Sequence, residues 1–356
     1  MADKMGGPRL RVAVLFGGRS SEHEVSIMSA TNVIGGLDPQ RFEVLPIYIT
    51  REGRWILSKF ENGSLSRPHD GTELCLVPGG RGQLMRVSGS EAVPAAIDLL
   101  FPVLHGLGGE DGSVQGLAEV AGVAFVGCDI LGSAVALDKD VAKRLLREAG
   151  VPVARAVTVT QNALPDFATV EATLGLPVFV KPARQGSSVG VRKVSASQEW
   201  KAALEEGFRH DEKLVVEEFV KGREIEFSVL EDADGTLYVS RPGEIVPHES
   251  HGFYSYDAKY IDEDGAALKV PAELDPDLES QMRAMAAKAF RAAGCDAMAR
   301  VDLFLTEKGQ FFINEINTIP GFTNISMYPK AMEASGVDLK TLIDRLIAFS
   351  MKRHRG

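Results

Sequence analysis

Apolar runs alternate with helical stretches over the first third of this 356-residue chain. LRVAVLF, residues 10–16, predicts a buried strand that ends at a Gly-Gly turn, and a helix follows at residues 22–34. FEVLPIYI (42–49) and IDLLFPVL (97–104) predict further strands, with a helical stretch at residues 112–121. Because strands that alternate with helices pair in parallel through crossover connections, the pattern predicts a parallel α/β sheet.

The pattern changes at Asp138, where a second unit begins. A helix is predicted at residues 138–149, and it ends at Gly150 and Pro152, as glycine and proline past a helix C-terminus indicate. The segment 61–92 is rich in glycine, serine and charge, and we expect it to be a surface excursion. Further strands are predicted at residues 153–159, 177–181, 188–194, 213–218 and 223–230, and a long helix at 275–293.

The composition argues against several classes of protein. Thirty-nine basic and 49 acidic residues give a net charge of −10, which argues against a general surface for nucleic acid or anionic membranes. Cys75, Cys128 and Cys295 lie far apart without CxxC spacing, which argues against a disulfide framework or a zinc site. The N-terminal apolar run is too short for a signal peptide, and no later stretch predicts a membrane span. We therefore expect a cytoplasmic protein that binds neither nucleic acid nor membrane.

The stretch MARVDLFLTEKGQFFINEIN (298–317) predicts a β-hairpin with a tight turn at its Lys-Gly pair. With the turn centred there, Asp302 faces Glu315 and Arg300 faces Asn317. Side chains two residues apart share one face of a strand, so these four polar groups are expected to lie together. A three-residue turn would shift this register.

Two carboxylates directly opposite each other destabilise a sheet unless a cation lies between them. Oxygen ligands from Asp302, Glu315 and Asn317 suit Mg²⁺ rather than zinc. Mg²⁺ keeps coordination positions for water and phosphate, so the pattern indicates a nucleotide phosphate nearby. The hairpin alone leaves an alternative equally open, a surface salt-bridge cluster in which Arg300 neutralises both acids.

A second polar stretch, VFVKPARQGSSVGV (178–191), places Lys181 at a strand end before the loop at residues 186–190. Small residues let backbone N–H groups close on phosphate oxygens, and the lysine adds a positive charge. The GK[ST] ending of a Walker A loop is absent, and a strand rather than a helix is predicted to follow. In isolation, a plain glycine-rich hairpin is the better interpretation of this stretch.

Three further stretches carry acids or a histidine at the ends of predicted elements. Glu217 and Glu218 end an apolar strand and Glu224 follows a turn, so they are candidates to bind an adenine amine and ribose hydroxyls. Glu22, the first residue of a predicted helix, is placed to bind a ligand ammonium, and His105 follows a strand end. Each of these residues has a simpler interpretation. Glu217, Glu218 and Glu224 are then solvated acids, Glu22 only favours the helix dipole, and His105 is a structural histidine.

Taken together, these motifs resemble the D-alanine–D-alanine ligase family of the ATP-grasp superfamily, from about residue 10 to residue 345. The stretches that carry the resemblance, in the family's order, are GGRSSEHEVS, LHGLGGEDG, ALDKD, VKPARQGSSVGV, VVEEFVKGREIEF, FYSYDAKY, ARVDLF and NEINTIPGFTNIS. The resemblance implies a fold of the α/β and α+β classes. In it, an N-terminal parallel α/β domain (1–137) precedes a two-subdomain ATP-grasp fold (138–219 and 220–356).

The resemblance also implies the site residues and cofactors. It places two Mg²⁺ ions, for which Mn²⁺ can substitute, on Asp302, Glu315 and Asn317. The residues that it places on ATP are Lys139, Lys181, Ser187, Ser188, Glu217, Glu218, Phe219, Val220, Glu224, Phe304 and Asn314. The residues that it places on two D-alanine molecules or on the reacting atoms are Glu22, His105, Ser187, Lys259, Tyr260, Arg300, Gly321, Ser326 and Met327.

Within that set, the resemblance implies distinct roles for the groups around D-alanine. Glu22 receives the ammonium group of the first D-alanine. Arg300 and the backbone N–H of Gly321 stabilise the oxyanion of the reaction. Ser326 and the backbone of Met327 bind the carboxylate of the second D-alanine.

The implied reaction begins with ATP phosphorylating the first D-alanine, because a free carboxylate is a poor acylating agent. The amine of the second D-alanine then attacks the acyl phosphate, which gives D-alanyl-D-alanine for peptidoglycan synthesis and releases phosphate. A mobile loop that carries Lys259 and Tyr260 is expected to close over the site and exclude water. The family also implies a homodimer.

Three other activities are disfavoured. A ligase that joins D-alanine to D-lactate is disfavoured by Tyr260, which depsipeptide-forming relatives typically lack, whereas another ATP-grasp carboxylate–amine ligase stays an alternative. A dehydrogenase requires a GxGxxG turn, and Glu22 stands where the last glycine of that turn would be. A nucleotide-binding regulator without turnover is disfavoured because all the catalytic positions are filled.

Overall fold

The structure is a computed structural model that describes residues 9–247 and 266–355. Within these residues, the chain forms sheets of seven, four and six strands and one small two-stranded hairpin. No helix in this part of the chain is both long enough and apolar enough to cross a membrane.

The first sheet is parallel where the sequence predicted it. The strands of this region are β1 (Leu10–Gly17), β2 (Phe42–Ile49), β3 (Trp55–Leu57), β4 (Phe60–Glu61), β5 (Ser64–Leu65), β6 (Glu73–Leu76), β7 (Leu84–Ser88), β8 (Leu99–Val103) and β9 (Ala124–Phe125). Its helices are α1 (His23–Gly36), α2 (Ser113–Ala121) and α3 (Ile130–Leu137). The sheet order is β7-β6-β3-β2-β1-β8-β9, and β1 pairs in parallel with both β2 and β8. Strand β1 is buried on both faces, which explains its unbroken apolar run.

The expectation of a surface excursion at residues 61–92 is wrong. Strands β6 and β7 lie within this segment and extend the sheet beyond β3 by antiparallel pairing. Leu74, Leu76 and Leu84 are buried and pack against the same core cluster as Leu15 of β1. Short strands between glycine-rich turns therefore carry a buried apolar face that the composition of the segment conceals.

The second sheet is antiparallel and covers the middle of the chain. Its strands are β10 (Ala156–Thr160), β11 (Val178–Pro182), β12 (Arg192–Val194) and β13 (Lys213–Glu218), in the order β10-β13-β11-β12. The helices of this region are α4 (Lys139–Glu148), α5 (Phe167–Leu174) and α6 (Ser197–Phe208). The strand predicted at residues 188–194 begins only at Arg192, because Ser187 and Ser188 adopt positive φ angles of 52° and 59° that a strand excludes.

The third sheet contains the predicted hairpin. Its strands are β14 (Arg223–Glu231), β15 (Leu237–Val239), β16 (Gly243–Pro247), β17 (Ala266–Lys269), β18 (Met298–Leu305) and β19 (Phe311–Asn317). The helices are α7 (Pro276–Ala292), α8 (Met327–Glu333) and α9 (Leu339–Arg355). Met282 and Phe290 of α7 pack with Phe227 and Val301 of the sheet in one buried cluster.

The C-terminal helix α9 joins the first sheet to the third. Leu342 and Leu346 of α9 are buried in the same cluster as Val12 and Phe42 of the first sheet. Near the end of α9, the Arg353 guanidinium donates hydrogen bonds to the backbone carbonyls at the end of β9 and just beyond it. The first sheet therefore packs on the part of the chain that also carries β18 and β19.

The β18–β19 hairpin has the predicted pairing. Asp302 faces Glu315, and Arg300 faces Asn317. Arg300 and Asp302 lie two residues apart on β18, so all four polar side chains share one face of the sheet.

The hairpin turn is nevertheless longer than the predicted Lys-Gly pair. Its loop lies between Thr306 and Gln310, whose backbone N–H and carbonyl form a 2.8 Å hydrogen bond. The longer turn offsets the register by one residue, as the pairing of Leu303 with Ile313 shows. A bulge at Asn314 restores the predicted register one residue further along.

Candidate functional site

A cavity of about 590 Å³ lies between α1, strands β14, β18 and β19, and residues 319–327. The sequence-predicted residues that line it are Glu22, His105, Ser187, Arg300, Glu315, Asn317, Gly321, Ser326 and Met327. Groups from the beginning, the middle and the end of the chain therefore meet in one concave site, as small-molecule sites require.

Arg300 is the central cation of this cavity. Its Nε and Nη2 donate to the two carboxylate oxygens of Asp302 at 2.8 and 2.7 Å, and its Nε lies 3.0 Å from Oε2 of Glu226. Burial alone disfavours the charge of the guanidinium, but Asp302 and Glu226 outweigh burial and raise the pKa of Arg300 well above its usual value. Arg300 therefore remains a cation at every accessible pH.

The metal residues of the sequence analysis form one oxygen-rich group. Asn317 Nδ2 donates to Oδ2 of Asp302 at 3.0 Å, and Lys139 Nζ lies 3.8 Å from Oε2 of Glu315. Arg300 pairs with Asp302, as the salt-bridge alternative expected, although Asp302 is buried and Arg300 and Glu315 are only partly exposed. Two carboxylates and one amide oxygen on adjacent strands are the donor chemistry that Mg²⁺ prefers, so the residues present fit this ion.

Glu217 is not a solvated acid. Its carboxylate is 2% exposed and lies between Lys181, at 2.6 Å, and Lys143, at 3.1 Å. Burial raises the pKa of this carboxyl, but the two lysines outweigh burial and lower it to about 2. Lys139 lies on the same helix as Lys143, one turn earlier, and donates to the backbone carbonyl of Gln185 at 2.6 Å. The structure thus gathers cations beside the acids of β18 and β19, an arrangement suited to phosphate groups.

The other residues assigned to the nucleotide lie at the ends of β13 and β14 and on β18 and β19; they are Glu218, Phe219, Val220, Glu224, Phe304 and Asn314. Glu218 forms an ion pair with Arg155, whose Nη2 lies 2.6 Å from Oε2. Glu224 and Phe304 are cross-strand neighbours of β14 and β18. Asn314, the bulge residue, accepts a 3.5 Å hydrogen bond from Lys181. The contact of Asn314 with Lys181 connects this group to Lys139, Lys143 and Lys181, which we call the lysine cluster.

The loop at residues 186–190 closes against the opposite side of the cavity. A Cβ at Gly186 would lie 3.4 Å from Oε2 of Glu22, so the loop backbone approaches that carboxylate. Ser187 and Ser188 both adopt the left-handed backbone conformation, which costs energy for residues other than glycine. Successive residues with a left-handed backbone form a turn whose shape is suited to binding anions.

A buried group of ionisable side chains lies at the inner end of the cavity. His105 donates from Nδ1 to the carbonyl of Ile319 at 2.9 Å, and its buried Nε2 has no hydrogen-bond partner among the residues that the structure describes. Burial lowers the pKa of His105 although Glu22 raises it, so the imidazole is neutral. Burial first, and then Glu22, raise the pKa of Glu110 to about 8.

Gly321, Ser326 and Met327 lie together on the connection from β19 to α8. A Cβ at Gly321 would lie 2.6 Å from Ser326 Oγ, so glycine permits this close approach. Ser326 Oγ accepts a 2.9 Å hydrogen bond from the backbone N–H of Thr323. Met327 begins α8 and is buried. The predicted residues Lys259 and Tyr260 lie outside the described residues.

The sequence analysis missed three buried site residues. The helical period could have identified Lys143, because it lies one turn after Lys139 on the same face of α4. The strand period could have identified Glu226, because it lies two residues after Glu224 and therefore on the same face of β14. Glu110 lies in a glycine-rich stretch with no periodicity, and nothing in the pattern shows its burial.

Comparison with known proteins gives a consistent result. Residues 145–348 match the family described as D-ala D-ala ligase C-terminus, and residues 11–128 match D-ala D-ala ligase N-terminus. D-alanine–D-alanine ligase A of Brucella melitensis is 57% identical over 351 residues, which cover 98% of this chain and 99% of the relative. The protein of the same name from Mesorhizobium japonicum is 54% identical over 352 residues, with 98% and 99% covered.

Solved structures show the same likeness. The D-alanine-D-alanine ligase from Coxiella burnetii superposes with a TM-score of 0.84 at 34% identity, and 98% of this chain and 95% of that chain are covered. The VanG D-Ala:D-Ser ligase from Enterococcus faecalis superposes with a TM-score of 0.83 at 36% identity, with 96% and 100% covered. The predicted fold class, a parallel α/β unit followed by an ATP-grasp fold, is confirmed by this likeness.

Proposed function

Because this chain belongs to the D-ala D-ala ligase family, we propose that it joins two D-alanine molecules to D-alanyl-D-alanine and converts ATP to ADP and phosphate. The observation that carries the proposal is the cavity that brings Glu22, Arg300 and Gly321 together beside acids suited to Mg²⁺. The dipeptide is a precursor of peptidoglycan, so the enzyme contributes to cell-wall synthesis.

ATP is assigned to the region beside Lys139, Lys181 and the acids of β18 and β19. Lys139 and Lys181 bind its phosphates, and the backbone of residues 187–188 closes on the same group. Glu217, Glu224 and the chain at residues 218–220 hold adenine and ribose, with Phe304 and Asn314 beside them. This assignment is supported by the buried lysine pair of Glu217, because phosphate binding needs cations that the fold already holds in place.

Asp302, Glu315 and Asn317 would hold two Mg²⁺ ions, for which Mn²⁺ can substitute. Such ions would supply positive charge to the phosphate oxygens during phosphoryl transfer. The support for this assignment is the oxygen-only donor set and its pairing across β18 and β19. Arg300 adds a permanent positive charge beside the same acids.

The first D-alanine binds through its ammonium group to Glu22, beside the neutral ring of His105. Its carboxylate then lies toward Arg300, and one of its oxygens attacks the γ-phosphorus of ATP, which releases ADP. The second D-alanine binds through its carboxylate to Ser326 and the backbone of Met327. Its amine attacks the acyl carbon, and phosphate leaves from a tetrahedral intermediate that Arg300 and the Gly321 N–H stabilise.

The choice of acceptor rests on side chains rather than on the fold. The fold of VanG D-Ala:D-Ser ligase matches this chain as well as that of the D-alanine-D-alanine ligase does, so the backbone alone does not select the acceptor. Tyr260 favours an amine acceptor over D-lactate. We assign D-alanine as the acceptor, with D-serine as the second candidate.

Three broader features belong to the same proposal. The chain divides into an N-terminal substrate-binding domain (1–137), a central ATP-grasp subdomain (138–219) and a C-terminal ATP-grasp subdomain (220–356). The enzyme is cytoplasmic, where ATP and D-alanine are available to it. It is a homodimer, as its family implies.

The decisive test is product identification by mass spectrometry. The protein is incubated with ATP, Mg²⁺ and D-alanine, alone and with D-lactate or D-serine in competition. We expect D-alanyl-D-alanine and an equal amount of ADP, with D-alanine preferred over both competitors. A D-alanyl-D-serine product would move the acceptor to the second candidate, and absence of ADP that depends on D-alanine would refute the ligase.

A further inference from the structure

The connection at residues 319–324, which we call the acceptor segment, is irregular backbone between β19 and α8. It contains Pro320 and Gly321 and has no strand or helix of its own. Buried backbone N–H and carbonyl groups need partners wherever regular structure does not supply them. The hydrogen-bond partners of this segment therefore fix its shape.

The first anchor of the acceptor segment is Ile319. Its carbonyl accepts from Nδ1 of His105 at 2.9 Å, and its N–H donates to Oε1 of Glu110 at 3.4 Å. The other carboxylate oxygen of Glu110 accepts from the backbone N–H of Gly106 at 2.6 Å. One buried carboxyl group therefore connects the loop after β8 to the acceptor segment.

The second anchor is Phe322. Its N–H donates to Oγ of Ser29 at 3.0 Å, and its carbonyl accepts from Nδ2 of Asn32 at 2.8 Å. Asn32 also donates to the side-chain oxygen of Asn324 at 2.9 Å. Ser29 and Asn32 both belong to α1 and lie three residues apart, so one face of this helix holds the segment.

Gly321 lies between these two anchors and lines the cavity. The groups that hold both anchors come from the first 110 residues, whereas the segment itself lies beyond residue 318. The direction of the Gly321 N–H therefore depends on hydrogen bonds from the N-terminal part of the chain. Small displacements of a positioned donor have large effects on the reaction that it serves.

We propose that Ser29, Asn32 and Glu110 are positioning residues that hold the acceptor segment, and with it Gly321 and Ser326, in the geometry that receives the second D-alanine. This inference rests on the proposed function, because it assigns a task to residues that act through Gly321 and Ser326. The three residues govern the second half of the reaction. Phosphorylation of the first D-alanine depends on Arg300 and the lysine cluster, and none of the hydrogen bonds that hold the acceptor segment is made to these groups. The charges of Glu22 and Arg300 act on Glu110 alone of the three, so Ser29 and Asn32 give the cleaner test.

A displaced acceptor segment has a specific chemical consequence. The acyl phosphate still forms and ADP is released, but the amine of the second D-alanine is poorly placed to attack. Water then attacks the acyl carbon, which returns D-alanine and phosphate. The enzyme consequently makes more ADP than dipeptide, an uncoupling that general loss of stability does not produce.

The test compares Ser29→Ala, Asn32→Asp and Glu110→Gln with the wild-type enzyme. Asn32→Asp keeps the size of the side chain and removes the amide donor to Phe322. The matched control is Ser350→Ala, which removes a buried helix hydroxyl whose hydrogen bond among the described residues stays within α9, to the carbonyl of Leu346. ADP and dipeptide are quantified separately over a range of D-alanine and ATP concentrations.

We expect each of the three variants to raise the ratio of ADP to dipeptide. The KM for the acceptor D-alanine should rise by about tenfold, and the KM for ATP should stay within about twofold of the wild-type value. Ser350→Ala keeps the wild-type ratio. Variants whose rates fall with an unchanged ratio and an unchanged acceptor KM would overturn the inference, and so would equal uncoupling in Ser350→Ala. A wild-type protein that makes no dipeptide would instead refute the proposed function.

Discussion

Glu217 is a buried carboxylate that stays ionised because Lys143 and Lys181 flank it. Lys143 is itself 2% exposed, and burial lowers its pKa although Glu217 raises it. The two side chains depend on each other, because a buried charge without a partner is strongly unfavourable.

Replacing Lys143 by methionine tests this dependence. The change leaves Glu217 with one cation instead of two, and we expect the free energy of unfolding to fall by about 3 kcal/mol. The control is Lys201→Met, since the side chain of Lys201 is 88% exposed and its ion pair contributes little. Denaturant unfolding measures the free energy of unfolding of both variants and of the wild type. If Lys143→Met were as stable as Lys201→Met, Lys143 would not stabilise Glu217.

Glu110 gives stability an unusual dependence on pH. Its pKa is raised from 4.5 to about 8 in the folded protein, by burial first and then by Glu22. The folded protein thus keeps a proton that the unfolded chain releases, so the contribution of this group falls as the pH rises from 4.5 to about 8 and then stays constant.

The variant Glu110→Gln removes this titration. We expect the unfolding free energy of the wild type, relative to Glu110→Gln, to fall by about 1 kcal/mol per pH unit within that window. Denaturant unfolding of both proteins at several pH values measures the difference. A difference that is constant across the window, or that grows with pH, would contradict the raised pKa.

Single residues also show where a sequence stops being informative. Lys143 and Glu226 follow the helical and strand periods of residues already assigned to the site, so the pattern contained them. Glu110 has an ordinary place in a glycine-rich loop, and only the fold buries it beside Glu22. Burial of a loop residue depends on contacts with distant parts of the chain, which local sequence does not specify.

At the scale of elements, the cross-strand pairs of the β18–β19 hairpin were predicted correctly, but the turn between the strands was not. The predicted pairs of Asp302 with Glu315 and of Arg300 with Asn317 are confirmed, but the loop is longer than predicted and a bulge corrects the offset. The bulge also accompanies the contact of Asn314 with Lys181. Turn type was not evident from the Lys-Gly pair alone, because glycine serves several turn geometries.

The strands at residues 73–88 show a second limit. Periodicity predicts long strands well, but β6 and β7 are short and one of them lies at the sheet edge. In β6 the buried leucines Leu74 and Leu76 alternate over only four residues, and in β7 only Leu84 is buried, so the pattern is too short to distinguish a strand from a loop. The long parallel strands β1, β2 and β8 had a continuous apolar signal, and their prediction is confirmed.

Arg353 attaches the C-terminal end of helix α9 to the first sheet. The guanidinium donates to the carbonyls of Phe125 and Gly127 and to Asp296, each at 2.8 or 2.9 Å, and lies 4.2 Å from the centre of the Phe125 ring. Its planar fork reaches several acceptors at once, which the single ammonium of lysine does not reproduce.

We therefore expect Arg353→Lys to lower the free energy of unfolding by about 2 kcal/mol, nearly as much as Arg353→Ala. The measurement is denaturant unfolding, with Arg355→Lys in the same helix as the control. A lysine variant as stable as the wild type would show that charge alone holds the end of α9.

At the scale of the whole molecule, the site lies at the contact between the first sheet and the third sheet. Local patterns indicated the loop at residues 186–190, the acids and the β18–β19 hairpin, but they did not show that these elements face one cavity. The resemblance to a known family supplied that arrangement in advance, and the cavity contains nine of the residues it assigned, from Glu22 to Met327. The wide separation of these residues in the chain explains why periodicity and spacing alone were insufficient.

The central claim is that the first D-alanine is activated as an acyl phosphate before the second attacks it. The most direct test uses D-alanine with both carboxylate oxygens replaced by ¹⁸O, together with ATP and Mg²⁺. The account predicts that each dipeptide is accompanied by one inorganic phosphate that carries one ¹⁸O, since a carboxylate oxygen becomes the bridging oxygen of the acyl phosphate. Dipeptide formation with all the ¹⁸O retained in D-alanine and its products, and none in phosphate, would contradict it.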